Sequence, residues 1–246
     1  MMPTPRRLKA IPVAVLLAGT LLAAIAHHPA EAEPAAGGGP KVIKGLRVKP
    51  GTVNAFQESF GLIHVMGEVI NGSGRNVAAI LVEVKLFDAQ KRLIDTVSAP
   101  TQCVWTMAPR DLAPFDVNVI PSPGLASYSV SVKGIIYTRA LATGIKFEDL
   151  QTRLSSLGTR LTVEGFIRNT TNKQYWFPKV CAAAYTTRGK FVMTGDVLSF
   201  LTTESFPAKS RKIFGGEFGP YAITGLPKII GVRVYVGACT DADALH

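Results

Sequence analysis

A strand–turn–strand pattern between Gly67 and Leu93 constrains the fold of this chain more than any other feature. The segment reads GEVINGSGRNVAAILVEVKLFDAQKRL. Its central dipeptide, Asn71-Gly72, favours a tight turn because both residues tolerate positive φ. Alternate side chains of a strand point to the same face, so the residues after the turn predict one buried face. That face would consist of Ile80, Val82, Val84 and Leu86.

The same pattern recurs 98 residues later without a gap. The offset pairs Val65 with Val163, Gly67 with Gly165, Asn71 with Asn169, Phe87 with Tyr185 and Pro109 with Pro207. Identities are few, but the order of strand, Asn turn, strand with an aromatic end, basic turn and Pro loop is kept. Each unit spans about 100 residues, the usual size of a sandwich of roughly seven strands. The repetition therefore predicts an all-β chain with two tandem antiparallel β-sandwich domains.

The residue pattern of the rest of the chain agrees with this interpretation. Short runs rich in Val, Ile, Phe and Tyr alternate with Gly, Pro, Asn and Asp, as is typical of sandwiches and barrels. We expect the first sandwich at residues 42–140, the second at 141–240 and a tail at 241–246. Residues 145–157 are the least strand-like and are interpreted as an inter-domain connection with one or two helical turns.

The N-terminus has the three parts of a secretory signal peptide. Basic residues precede an apolar stretch at residues 10–26, and Ala30-Glu31-Ala32 gives a small-x-small cleavage site. We expect a signal peptide at residues 1–32, a flexible linker at 33–41, and hence a periplasmic or extracellular protein. The alternative is an uncleaved anchor, since the apolar stretch is only slightly shorter than the roughly 20 residues of a membrane span. Only that alternative would imply membrane contact.

A short motif in the first unit resembles the FxLYD family of β-sandwich domains, which occur in exported prokaryotic proteins. The motif is Val84-Lys85-Leu86-Phe87-Asp88, preceded by Gly67-x-x-x-Asn71 and followed by a Pro loop and Phe115. Val84 stands where the family has Phe, and Phe87 stands where it has Tyr. The second unit keeps only the aromatic, Tyr185. The resemblance covers most of residues 42–240 and implies an immunoglobulin-like sandwich with no general activity.

The number of cysteines limits how many disulfides can form. The chain contains Cys103, Cys181 and Cys239. An exported chain meets conditions in which disulfides form, so one pair with one cysteine left over is expected. The favoured pair is Cys181 with Cys239, because both lie on predicted strands of the second unit. Three free thiols are the alternative, and the spacings match no zinc signature.

The patterns of a catalytic site are missing from the sequence. Beyond residue 32 the histidines are His64, inside a predicted strand, and His246. No serine lies in a Gly-x-Ser-x-Gly elbow, no phosphate-binding loop appears, and the glutamates are dispersed as on solvated strand faces. We expect no enzyme, no cofactor and no metal site. The alternative is a hydrolase whose serine, His64 and acid meet only in three dimensions.

Two stretches of the second unit are candidates for a binding patch. The aromatic run Tyr175, Trp176 and Phe177 could stack on sugars or anchor a protein. The basic loop that contains Lys209, Arg211 and Lys212 could contact an anion. The alternatives are that the aromatic run begins a core strand and that the basic loop is merely solvated.

Charge narrows the class of partner. The formal net charge of +10 favours anionic partners, but no basic helix or aromatic platform motif indicates nucleic acid. We expect a non-catalytic exported cell-envelope protein that serves as a protein–protein interaction or assembly module. Its partner would be an envelope protein or an anionic surface polymer. The alternative is a glycan- or anionic-polymer-binding module that uses the candidate patch.

Overall fold

The protein, studied as a computed structural model, is built from β-strands in the part of the chain that the structure describes. That part comprises residues 39–58, 61–138, 141, 143–154, 161–186, 190–197, 205–218 and 229–239. The predicted signal peptide, most of the predicted linker and the predicted tail lie outside it. The strands are β1 Leu46–Val48, β2 Asn54–Gln57, β3 Ile63–Asn71, β4 Val77–Phe87, β5 Leu93–Pro100, β6 Thr106–Met107, β7 Leu112–Val119, β8 Ser127–Ile136, β9 Ile145–Leu154, β10 Leu161–Asn169, β11 Tyr175–Thr186, β12 Phe191–Val197, β13 Ser205–Phe206, β14 Arg211–Phe218 and β15 Ile229–Cys239.

All strand pairs in these ranges are antiparallel, which confirms the predicted fold class. Within β1–β8, called here the first half, β3 has β7 along one edge and shares its other edge between β1 and β2. The second sheet of this half is centred on β4, with β8 along one edge and β5 and β6 along the other. Among the described residues, no helix has the length and apolarity that a membrane span requires.

The second half, β9–β15, repeats this arrangement. Strand β10 lies between β9 and β14, and β11 has β15 along one edge with β12 and β13 along the other. No described strand of one half pairs with a strand of the other. The division into two domains at about residue 140 remains a prediction. It falls between β8, the last strand that pairs within the first half, and β9, the first strand that pairs within the second.

The predicted offset of 98 residues holds for the first part of the repeat and then changes. Strands β3, β4 and β5 begin 98 residues before β10, β11 and β12, whereas β6 begins 99 residues before β13. The turn Ala108–Asp111 therefore corresponds to Pro207–Ser210, and each is closed by a backbone hydrogen bond. The predicted match of Pro109 with Pro207 is wrong, since β13 begins one residue further from the start of β12 than β6 does from the start of β5.

The predicted buried face of β4 is confirmed. Ile80, Val82, Val84 and Leu86 are all buried, and burying each such side chain contributes about 1.5–3 kcal/mol. Phe115 of β7 fills the space above Gly67 of β3. A Cβ at Gly67 would lie 2.7 Å from the Phe115 ring, so only glycine leaves room for that ring.

A buried asparagine closes one end of the first half. Asn71, the last residue of β3, has no exposed surface. Its Nδ2 donates to the carbonyl oxygens of Arg75, Met107 and Ala108 at 2.8, 3.0 and 3.0 Å. Its Oδ1 accepts from the backbone N–H and the hydroxyl of Ser73. One amide thus joins the β3–β4 loop to the β6–β7 turn.

Asn169 does the same in the second half. It is fully buried, and its Nδ2 donates to the carbonyl oxygens of Lys173, Phe206 and Pro207. Its Oδ1 accepts from the N–H and the hydroxyl of Thr171. The Asn turns were predicted from their tolerance of positive φ, but neither asparagine adopts it. Each acts through its side chain instead.

The predicted connection at residues 145–157 is wrong in its described part. Residues Ile145–Leu154 form strand β9, which pairs along the length of β10. A bulge between Glu164 and Phe166 shifts the register, and Asp149 has φ 51°. Because the bulge interrupts the alternation of apolar residues, the sequence does not show the regular pattern of a strand here.

Replacing Asn71 tests the role of the buried amide. Asn71→Asp keeps the shape but removes the donors to three carbonyls and places a carboxylate in a buried site. We expect the free energy of unfolding to fall by about 3–5 kcal/mol, measured by urea denaturation. Ser73→Ala, which removes only one hydroxyl, should lower it by about 1 kcal/mol. An Asp variant as stable as the native protein would contradict this role.

Candidate functional site

The contact between the two halves holds the most unusual polar environment in the described structure. Strand β12 packs against β2, β3 and β7 of the first half. Strand β3 is buried on both faces. Val65 and Val69 belong to the core, while Glu68 contacts the second half. Asn54 of β2 donates from Nδ2 to the carbonyl oxygens of two β12 residues, at 2.7 and 3.1 Å.

Glu68 lies at the centre of this contact and has no exposed surface. Its Oε2 accepts from the ammonium of Lys49 at 2.8 Å. Its Oε1 accepts from the phenolic hydroxyls of Tyr185 and Tyr235, which belong to β11 and β15 of the second half. The guanidinium of Arg233 lies 3.7 Å from the same oxygen. These five residues are called the Glu68 cluster.

The Glu68 cluster holds its carboxylate in the charged form. Burial raises the pKa of Glu68, but the hydrogen bonds from Lys49, Tyr185 and Tyr235 outweigh burial and hold that pKa below its usual 4.5. Burial, together with the neighbouring carboxylate, raises the pKa of both tyrosines well above 10. The phenols therefore remain donors at any physiological pH.

The chemistry of the Glu68 cluster is structural. A catalytic carboxylate must reach a substrate, and Glu68 has no surface for one to approach. What the arrangement does is join a strand of the first half to two strands of the second. No signal in the sequence indicates this role, because Glu68 has the spacing of a solvated strand-face glutamate.

A disulfide forms a second link between the halves. The structure joins Cys103, in the loop between β5 and β6, to Cys181 of β11, with the Cα atoms 5.8 Å apart. The predicted Cys181–Cys239 pair is wrong. Cys181 faces Tyr235 on β15, and Cys239 lies four residues further along that strand. That spacing is about 13 Å, beyond the roughly 7 Å that a disulfide can bridge.

His64 lies between two carboxylates. Its Nδ1 is 2.9 Å from Oδ2 of Asp116, and its Nε2 is 3.5 Å from Oε2 of Glu58. The imidazole stacks on Phe56, with ring centroids 5.0 Å apart. The hydrogen bond that the imidazole donates to Asp116 raises the pKa of His64 above 6.5, with Glu58 adding to the effect and burial opposing it. Because both ring nitrogens face acids, the arrangement offers no nitrogen to a serine.

The predicted aromatic run does not form one exposed face. Tyr175 is 1% exposed, and its hydroxyl donates to the carbonyl oxygen of Thr143 at 2.6 Å. Trp176 is half-buried and pairs with Ser205 of β13. The Phe177 side chain lies outside what the structure describes. Tyr175 begins a core strand, as the alternative interpretation had it.

Arg211 is engaged within its own half. Its Nε lies 2.9 Å from Glu148, its Nη2 lies 2.6 Å from Asp149, and its guanidinium covers the Phe166 ring at 3.4 Å. These contacts neutralise it locally, so it contributes little to a site for an anion.

Lys209 and Lys212 are also held by local contacts. Lys209 donates from Nζ to the carbonyl oxygen of Thr170 at 2.8 Å, and Lys212 donates to that of Ser205 at 2.7 Å. Of the predicted patch residues, Tyr175 is thus buried, and Lys209, Arg211 and Lys212 are each engaged by groups of the protein. Among the described residues, no group of His, Cys, Asp and Glu side chains is arranged to hold a metal ion.

Comparisons with known proteins add no family. No family model matches the sequence, and no curated protein matches it. Among solved structures, β-glucuronidase 2 of Bacteroides uniformis is similar over 72% of this chain and 25% of its own, with 10% identity and a TM-score of 0.26. Red sea bream transglutaminase is similar over 82% of this chain and 30% of its own, with 12% identity and a TM-score of 0.24. The chain thus spans less than a third of either enzyme, and similarity at this level carries no argument about function.

The Glu68 cluster should control stability at low pH. Because the folded pKa of Glu68 is lowered, its stabilisation is present above about pH 4.5 and lost as pH falls through the folded value. Glu68→Gln should lower the free energy of unfolding at pH 7 by about 1–3 kcal/mol, since Lys49 stays partly solvated. It should also flatten the decline below pH 4.5. Denaturant titrations at several pH values measure both effects.

The matched control for Glu68 is Glu164→Gln on β10. Glu164 pairs with Arg153 at 3.3 Å, and its side chain is 43% exposed. Its replacement should change stability by less than about 0.5 kcal/mol. Equal effects of the two substitutions would contradict a special role for Glu68.

His64 should give the opposite pH dependence. Its folded pKa is raised, so its stabilisation is present below about pH 6.5 and lost as pH rises through the folded value. The native protein should therefore lose stability between pH 6.5 and the weakly alkaline range, and His64→Gln should lose less over the same interval. Imidazole proton shifts followed by NMR would give the pKa directly. A value at or below 6.5 would contradict the assigned contacts.

Proposed function

We propose that this chain is an exported, non-catalytic protein of the cell envelope that serves as a protein–protein interaction or assembly module. The observation that carries the proposal is the double link between the halves. The Cys103–Cys181 disulfide and the Glu68 cluster join two pairs of sheets into one body. A body fixed in this way suits a protein that presents surfaces at a set spacing.

The environments of the titratable groups support a non-catalytic role. The carboxylate of Glu68 is buried among its donors, and both nitrogens of His64 face carboxylates. A general acid or base must reach the substrate proton within hydrogen-bond distance. Both groups are engaged by the protein itself.

The disulfide supports export. Disulfides persist in oxidising compartments and are rare in the cytosol. The signal peptide proposed for residues 1–32 would deliver the chain to such a compartment. The FxLYD resemblance and the division into two tandem sandwich domains belong to the same proposal, and the repeated strand order supports both.

The surface that we assign to a protein partner lies at the end of β4. Leu93 is 57% exposed and lies directly opposite Phe87, which is half-buried. Tyr128, 40% exposed, lies on β8 along the other edge of β4, where it pairs with Leu86. The outer edge of β5 pairs with no described strand. Exposed strand edges next to apolar side chains accept a strand from a partner.

The glycan-binding alternative has less support. It relied on Tyr175, which is buried, and on Arg211, which Glu148 and Asp149 neutralise. Neither of these two residues is thus free to stack on a sugar or to bind its acidic groups.

Site-specific photo-crosslinking in the native envelope tests the proposed function. A photoreactive residue at Leu93 should give a discrete crosslink to another envelope protein, because a bound partner would cover this edge. The control position is Ile213, which is 60% exposed on β14 of the second half. It should give weaker products. If Leu93 and Tyr128 both give none, the interaction role at this surface is wrong.

A further inference from the structure

Five cations surround the loop between β3 and β4 at one end of the first half. A depression of about 560 Å³ is lined by Lys41, Lys44 and Arg75 together with Gly72. A neighbouring depression of about 580 Å³ shares Gly72 and is lined by Arg110. The guanidinium of Arg47 reaches the same glycine. These residues are called the cationic end: Lys41, Lys44, Arg47, Arg75 and Arg110.

The cationic end differs from the rest of the described surface in its charge balance. Elsewhere several cations pair with acids, as Arg92 does with Asp88 and Lys133 with Glu83. None of the five residues of the cationic end forms an ion pair with a described residue. The nearest acid in sequence, Asp111, accepts the backbone N–H of Ala108 at 2.8 Å. The cluster therefore retains its positive potential.

An apolar side chain projects from the cationic end. Val42 is 77% exposed and stands between Lys41 and the buried Ile43. Its position is fixed, because Lys41 exchanges two backbone hydrogen bonds with Gly134 of β8, at 3.0 and 2.9 Å. A valine held outward among lysines matches the chemistry of a membrane interface, where apolar groups enter below the headgroup phosphates.

Chain direction brings the same end toward a membrane. Lys41, through its bridge to Gly134, makes the first contact of the described chain with a sheet, and the apolar stretch at residues 10–26 ends 15 residues before it. Fifteen extended residues span at most about 50 Å. During export, or through an anchor, this segment keeps the cationic end within reach of the lipid.

We propose that the cationic end binds the surface of a membrane that contains anionic phospholipids. Lys41, Lys44, Arg75 and Arg110 contact the headgroup phosphates, and Val42 enters between the headgroups. The proposal rests on the proposed place in the envelope. Its test uses pure lipids, so its failure is distinct from failure of the crosslinking at Leu93.

Co-sedimentation of the full chain with phosphatidylcholine vesicles, with and without phosphatidylglycerol, tests the proposal. Each cation near an anionic surface contributes about a fivefold gain in partition, hence on the order of a hundredfold for three. The triple variant Lys41→Gln, Lys44→Gln, Arg75→Gln should lose that factor on the anionic vesicles. Val42→Ser, which changes no charge, should bind severalfold more weakly. Added salt should weaken native binding.

The matched control removes three cations elsewhere. Lys91→Gln, Lys146→Gln and Lys190→Gln act on exposed residues and give the same net charge. This control should bind like the native chain. All variants carry the same N-terminus, so any binding through residues 10–26 is common to them.

Three outcomes would overturn the proposal. One is equal retention of every variant on neutral and anionic vesicles. Another is equal loss by both triple variants, which would make net charge the cause. The third is displacement from the vesicles by a soluble acidic polysaccharide at a lower charge concentration than that of the lipid, which would assign the surface to a polymer.

Discussion

The buried amides of Asn71 and Asn169 are the interactions on which each half depends. A sandwich must bring the loop after one central strand together with the turn before another, and both carry backbone carbonyls that need donors where they are buried. One asparagine donates to three such carbonyls and also accepts from the Ser or Thr two residues later. The second half repeats the same set of contacts. The repeat therefore preserves a hydrogen-bond network and not only an apolar pattern.

The contact between the halves depends on a buried carboxylate and not on a buried amide. An apolar contact would have sufficed to bury the outer face of β3, yet the chain places a carboxylate there and surrounds it with donors from both halves. Buried charges are costly unless they are fully paired. The Glu68 cluster therefore admits few alternative orientations of one half against the other, since most would leave the carboxylate without donors. The polar contacts thus fix the orientation of one half against the other, which apolar packing alone would define less narrowly.

The sequence predicted features that depend on local order and missed those that depend on contact between halves. Strands β3, β4, β10 and β11 followed from alternation and from the repeat. Strand β9 was missed because a bulge interrupts its alternation. The Cys103–Cys181 pair and the role of Glu68 were missed because each joins residues more than 70 positions apart, and no local pattern records such contacts. Tyr175 was assigned to a binding patch although its alternating position fits a core strand equally well.

The disulfide has a consequence for the order in which the chain matures. Cys103 and Cys181 are separated by 78 residues, so the first half is synthesised completely before the partner cysteine exists. Until β11 has emerged and paired, Cys103 remains a thiol, and the face of β3 that carries Glu68 remains uncovered. An oxidant or chaperone that acts during this interval meets a first half with the thiol of Cys103 and the uncovered carboxylate of Glu68. Maturation of the first half is thus completed by the arrival of the second.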